Sequence, residues 1–415
     1  MNNRYTDITQ TEKMVLHLLA ISLVGEKKAP PFPAEELPYV DWEAVRRESL
    51  FQTVSLMMLD AVAVYRKHLP AELYDAWIQT SGDMFYQNSQ VFSAQMQLVD
   101  ELKTKGIPYV ILKGAAAAAR YPRPELRILG DVDFLVERSF LAQAEELMVE
   151  NGYERMAMEH DCHVVFYKNQ VRFEMHFETV GIPYGQPGEM VREYMKGAVS
   201  AGGTDTMDGL PFSVPNVFHQ GLILLLHMQH HTLGEGLGLR HLCDWLVYVR
   251  DTMEEPHWEE HFIPFLKSIG LFTYAAVMTK IGALYLGLSC PSWAQVADDE
   301  LCRKMIKDIL TGGNFGQKDL KRAGSSVLIS EHGKNGTRHG AIYHLTHALH
   351  RNVLFVYPLV KRVPVLYPFF YVYRVLRHLF LIAQGKRLSL TEMAAPAFER
   401  KAVYKQLHIF ETEKQ

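Results

Sequence analysis

The chain has 415 residues, of which 48% are hydrophobic and 22% charged, and its formal net charge is −4. That balance is ordinary for a globular protein, excludes bulk disorder, and at about 100–200 residues per domain leaves room for about two to four units. Cys162, Cys243, Cys290 and Cys302 form no CxxC pair, so a disulfide framework or a structural zinc site has no support, and reduced thiols in a cytoplasmic protein are expected.

Residues 1–95 read as an N-terminal helical region. Thr9-Gln10-Thr11-Glu12 offers capping residues before an apolar helix that begins at Met14. That stretch carries His17 and lacks a small-residue cleavage pattern, so it reads as an amphipathic helix and not a signal peptide. Pro30-Pro31-Phe32-Pro33 is a linker, Asp41-Trp42-Glu43 opens a second helix, and a third runs from Glu72 to about Val99.

Residues 96–210 change character. Ile107 to Leu112 is a short apolar run consistent with a buried strand, ended by Lys113-Gly114. A helix start follows at Ala115, and Pro122-Arg123-Pro124 forces a loop. Asp131 to Val136 is a second strand, and Phe140 to Gly152 a helix. His163–Tyr167 and Val171–Glu178 are two further strands joined by a hairpin at Lys168-Asn169-Gln170.

Residues 211–325 read as helical again, with helices at Val217–His231 and Leu239–Asp251 separated by a glycine-rich turn, and a loop at Gly312–Gly316. Residues 326–415 form a basic, aromatic helical region broken by Pro358, Pro364 and Pro368. Within it, residues 332–391 hold nine Lys and Arg and no acid. This segment is expected to dock on the acidic remainder of the chain or, as a peripheral contact, on an anionic membrane; nucleic acid ranks third. No apolar run reaches the roughly 18 residues of a membrane span.

The chemistry is carried by Asp131-x-Asp133. Alternate side chains of a strand share a face, so both carboxylates point the same way. Two adjacent carboxylates repel unless a cation lies between them, and oxygen ligands of this kind suit Mg²⁺ or Mn²⁺ beside phosphate oxygens. The strand Val171–Glu178 alternates apolar and polar residues. Its polar face makes Glu174 the expected third acid, as metal ligand or general base, with His176 beside it and Glu178 as fallback. Lys113-Gly114 has a phosphate-side logic: glycine permits close backbone approach, the helix start presents free N–H groups, and Lys113 or Arg127 adds positive charge.

These residues, in the order Leu112-Lys113-Gly114, Arg127, Gly130-Asp131-x-Asp133 and Glu174-x-His176, resemble the nucleotidyltransferase superfamily of DNA polymerase beta. More narrowly, they are similar to a poorly characterised bacterial branch of it. Asp41-Trp42, His227 with His230 or His231, Arg240 with Asp244, and Gly313-Asn314-Phe315-Gly316 extend the resemblance over most of the chain. The resemblance implies an α+β fold: a small mixed sheet with large N- and C-terminal helical additions. It implies a nucleoside triphosphate as substrate, an acceptor hydroxyl of unidentified chemistry, catalytic and metal-binding Asp131, Asp133 and Glu174, and nucleotide-binding Lys113, Gly114, Arg127 and His176. One departure stands out. The superfamily's Gly-Ser after the first strand is Gly114-Ala115 here, which leaves open a nucleotide-binding protein without turnover.

His227, His230 and His231 share helix faces, but Met228 and Gln229 occupy the middle of what would be a zinc-protease motif. They read as residues packed beside Arg240 and Asp244, with His227, His231, Arg240 and Asp244 lining a substrate cleft rather than holding zinc. Arg240 and Asp244, four apart, read as a helix ion pair. Gly312–Gly316 reads as a helix cap and turn, and Cys162 as an inert thiol at a strand start.

Overall fold

In the computed structural model, residues 7–157, 160–252, 258–319, 359–384 and 400–411 are described, together with isolated positions between 346 and 357. The helices are α1 (Gln10–Val24), α2 (Trp42–Phe51), α3 (Leu59–Val64), α4 (Ala71–Lys105), α5 (Ala115–Ala118), α6 (Leu141–Glu150), α7 (Gln186–Tyr194), α8 (Val217–Leu233), α9 (Leu239–Thr252), α10 (Ile263–Ser268), α11 (Phe272–Tyr285), α12 (Asp299–Gly312), α13 (Leu359–Arg362) and α14 (Tyr367–Ala383). The strands are β1 (Tyr109–Ile111), β2 (Val132–Val136), β3 (Glu154–Arg155), β4 (His163–Lys168), β5 (Val171–His176), β6 (Gly203–Met207) and β7 (Leu210–Val214). The class is α+β, as the resemblance implies.

Five strands form one mixed sheet in the order β1-β2-β5-β4-β3. β2 and β5 are parallel, and every other pair is antiparallel. The register of the parallel pair places Asp133 opposite Glu174. Val132, Phe134, Phe173 and Met175 point into a buried cluster with α4 and α6, which sends the acids to the opposite face.

A second, larger core joins elements far apart in the chain. α1, α2 and α3 pack with α8, α9, α11 and α12 around Trp77, Trp245, Trp258 and Tyr274. The first helices and the 211–325 region thus share one interior, while α4 runs unbroken through the expected boundary near residue 95. Thr9 closes a capping box with Glu12 at the start of α1. The second expected helix stops at Phe51, because Thr53 has φ 57° and turns the chain before α3.

α7, the two-residue β3 and both strands of the β6–β7 hairpin escape the sequence reading. The hairpin turns at Asp208-Gly209, both at positive φ, and the Asp-Gly pair was the available signal. Pro368 does not break a helix. It lies in the first turn of α14, where its missing N–H costs nothing. Among the described residues one helix, Pro364–Ile382, is long and apolar enough to cross a membrane by length and composition, and none of it is buried. The sequence expectation concerned uninterrupted apolar runs, and this helix reaches the length only by including the arginines at 374 and 377.

Candidate functional site

β2 and β5 deliver the acids to one wall of a cleft of about 430 Å³. Asp131 precedes β2 by one residue, on the same face as Asp133. Asp133 is buried and accepts from Lys113 Nζ at 3.0 Å and from His176 Nε2 at 3.0 Å. Glu174 pairs with Arg172 at 2.5 Å, with His176 Nε2 at 3.5 Å and with His163 Nε2 at 3.9 Å. His163 faces His176 across the β4–β5 register, and His160 stacks on His163 with ring centroids 4.2 Å apart.

These environments push the two aspartates apart. Burial and the neighbouring Asp133 charge raise the Asp131 carboxyl to about 6. Burial also works against the Asp133 charge, but Lys113 and His176 overcome it and hold this carboxyl well below the usual range. Burial opposes protonation of His176 too, yet hydrogen bonds to Asp133, Cys162 and Glu174 raise it to about 10. His176 is 0% exposed and lies behind the carboxylates, off the cleft wall. It is therefore in contact with Asp133 and Glu174 from behind.

Gly114 takes φ 58°, which suits glycine, and sits beside the Asp131 carbonyl. The helix it opens has only four residues, so its dipole contributes little at the cleft.

The opposite wall comes from α8 and α9. His227, His230, His231, Arg240 and Asp244 all line the same cleft as the acids. The expected Arg240–Asp244 helix pair does not form. Asp244 instead accepts from Arg127 Nε at 3.1 Å and Nη2 at 2.5 Å, and from the Tyr121 hydroxyl at 2.7 Å. Arg127 is a bidentate partner 117 residues away, and no local pattern could select it over the i, i+4 neighbour. Arg240 donates to the Ile128 carbonyl at 3.2 Å. Burial and the Arg127 charge lower its guanidinium to about 10.

Sequence reasoning missed His160, His163, Arg172, His241 and Phe315, all on the cleft wall. His241 had a signal: it stands three residues before Asp244 on α9 and shares its face. Phe315 is placed by the glycine-rich loop after α12, in which it adopts φ 53° and ψ 30°. Its ring meets those of His231 and His241 at centroid separations of 4.9 and 5.7 Å. The loop is held by the turn between α8 and α9: Phe315 N–H donates to Gly236 O at 3.2 Å, and Asn314 packs directly on Gly238.

A mixed sheet carrying a paired aspartate and a neighbouring-strand acid, beside a helical wall of histidines and Arg240, is the frame of a nucleotidyltransferase. Residues 38–287 match the family described as an uncharacterised nucleotidyltransferase, and the chain belongs to that family. No curated protein matches the sequence.

Proposed function

We propose that the protein transfers a nucleoside monophosphate from a nucleoside triphosphate to a hydroxyl of an acceptor, releasing pyrophosphate. The observation that supports this reading most is that Asp131, Asp133 and Glu174 line the same cleft as Arg240. The acceptor oxygen bonds to the α-phosphorus while the bond from that phosphorus to the bridging oxygen breaks, and pyrophosphate carries away the electron pair. The hydroxyl proton passes to a carboxylate, for which Glu174 is placed.

Three carboxylates are hard oxygen donors, and this donor set fits Mg²⁺ or Mn²⁺. Asp131, Asp133 and Glu174 would hold the ion, which when bound supplies charge neutralisation at the phosphates. His176 keeps the Asp133 and Glu174 oxygens oriented. Lys113, 3.0 Å from Asp133, supplies a positive charge on the phosphate side of the same wall. Arg127 is committed to Asp244, so Arg240 is the guanidinium offered to the triphosphate. Catalysis of this type is largely positioning and electrostatics.

The test is Mg²⁺-dependent turnover of labelled triphosphates against a panel of small-molecule, lipid-linked and protein acceptors, with pyrophosphate release as readout. Asp131→Asn is expected to abolish turnover and the Mg²⁺-dependent stabilisation by ATP. An Asp131→Asn protein that binds and turns over nucleotide like the parent overturns the proposal. Ala115 after Gly114 favours a second reading, nucleotide binding without turnover, which pyrophosphate release would exclude.

We also propose that α14 lies on anionic membrane. Val365, Phe369, Val372, Leu376 and Leu379 are exposed and follow a 4-3-4-3 spacing along one side of the helix. Arg374 falls at the middle of Pro364–Ile382. A charged residue at the centre of a spanning helix costs about 2.5–3.5 kcal/mol, so the surface orientation is favoured. Flotation with phosphatidylserine vesicles should show salt-sensitive binding that Val372→Asp with Leu376→Asp abolishes. No binding, or an apolar face covered by dimerisation, overturns it.

A further inference from the structure

Three histidines from two helices meet on the wall facing the acids. His231 Nε2 lies 3.0 Å from His227 Nε2. The His241 ring lies 5.1 Å from each of theirs, centroid to centroid. One nitrogen from each of the three falls within 4.8 Å of the other two. Zn–N bonds of about 2.0–2.1 Å place tetrahedral ligand nitrogens about 3.3–3.4 Å apart, so the cluster needs at most about 1.5 Å of closure.

The second observation concerns His241. It is only 4% exposed, and neither Nδ1 nor Nε2 has a hydrogen-bond partner. A buried polar atom left unsatisfied is costly, and both atoms of this ring are in that state at the lining of a cleft. Aromatic packing with His231 and Phe315 accounts for the ring's shape but not for its nitrogens.

We propose that His227, His231 and His241 bind a divalent transition-metal ion of the Zn²⁺ type, separate from the carboxylate site across the cleft. Imidazole donors select Zn²⁺ and its first-row neighbours over Mg²⁺, which prefers oxygen. Three protein ligands leave a fourth position open towards the cleft, the arrangement of zinc sites that engage a substrate rather than only brace a fold. The group it would take there is an anionic or heteroatom donor of the nucleotide or the acceptor. Burial and the nearby Lys113 charge keep His227 neutral, which leaves its ring ready to ligate. The cationic neighbours do not forbid an ion. Lys113 is paired with Asp133, and the cleft lining holds five carboxylates against four Lys and Arg side chains.

The test uses the full chain, stripped of metal and then dialysed with Zn²⁺ or Co²⁺ in excess Mg²⁺. One tightly held equivalent is expected by elemental analysis, and the Co²⁺ form should show visible d–d absorption. Both signals should be lost in His231→Ala and His241→Ala and retained in Asp131→Asn, so the outcome is independent of whether the transferase reading holds. They should also survive Cys162→Ser, which probes the competing cluster of Cys162, His163 and His176. If the buried His241 variant does not fold, the half-buried His227→Gln carries the same comparison. No retained equivalent, retention in folded His231→Ala, or loss in Cys162→Ser overturns the proposal.

Discussion

Asp244→Ala removes the one acceptor shared by Arg127 and Tyr121. The carboxylate takes three hydrogen bonds, two from the guanidinium and one from the phenol, and both ionic side chains are about 5% exposed. Removing one member of a buried ion pair costs about 3–5 kcal/mol, because the remaining charge is left desolvated and unpartnered. In a unit of this size 1 kcal/mol moves the midpoint by about 2–4 °C. Thermal unfolding of Asp244→Ala should therefore fall by roughly 6–20 °C, and chemical denaturation should return the same free energy. Tyr121→Phe removes only a hydrogen bond to a charged group and should cost about 1.5–3 kcal/mol. Arg127→Met with Asp244→Leu should recover most of the loss, since an apolar pair of similar volume replaces the ions without an orphaned charge. A loss below about 1 kcal/mol for Asp244→Ala, or no recovery in the double variant, refutes the reasoning. The pair matters for the site because Arg127 stands four residues before Asp131 and ties that loop to α9.

Further outcomes follow from the same geometry. In EDTA, Asp131→Asn should leave stability unchanged or raised, because it removes a carboxylate crowded by Asp133, whereas Asp133→Asn should destabilise by about 3–5 kcal/mol by stranding Lys113 and His176; equal effects in calorimetry would contradict this. Gly238→Ala puts a Cβ 2.7 Å from that of Asn314, so a loss of about 1–3 kcal/mol is expected with displacement of Phe315 from the cleft, read by thermal shift and by a crystal structure of the variant. His17 hydrogen-bonds the Pro30 carbonyl and the Tyr65 hydroxyl, and burial lowers its pKa below 6.5. The unfolded chain then binds more protons than the native one between the lowered value and 6.5, so this contribution is present above 6.5 and lost as pH falls through that window. Burial acts the same way on His219. Stability measured by denaturant between pH 7 and 5 should fall less steeply in His17→Gln with His219→Gln than in the parent.

The features legible in the sequence were those set by near neighbours. The period-two alternation of residues 171–176 announced a half-buried strand with Glu174 on its polar side, and Asp131-x-Asp133 declared a shared face for the same reason. Capping at Thr9 and the glycine and proline stops marked element ends, because those signals act over a single turn of chain. Tertiary structure alone decided which strands pair. The parallel alignment of β2 with β5 sets Asp133 against Glu174, and nothing local to either strand fixes that register. It also decided that Asp244 belongs to Arg127 and not to Arg240, that His176 stands behind the acids, and that His241 completes a group with His227 and His231. Each of these depends on contacts between residues distant in the chain, where packing of helices on the shared core brings side chains together and periodicity carries no information.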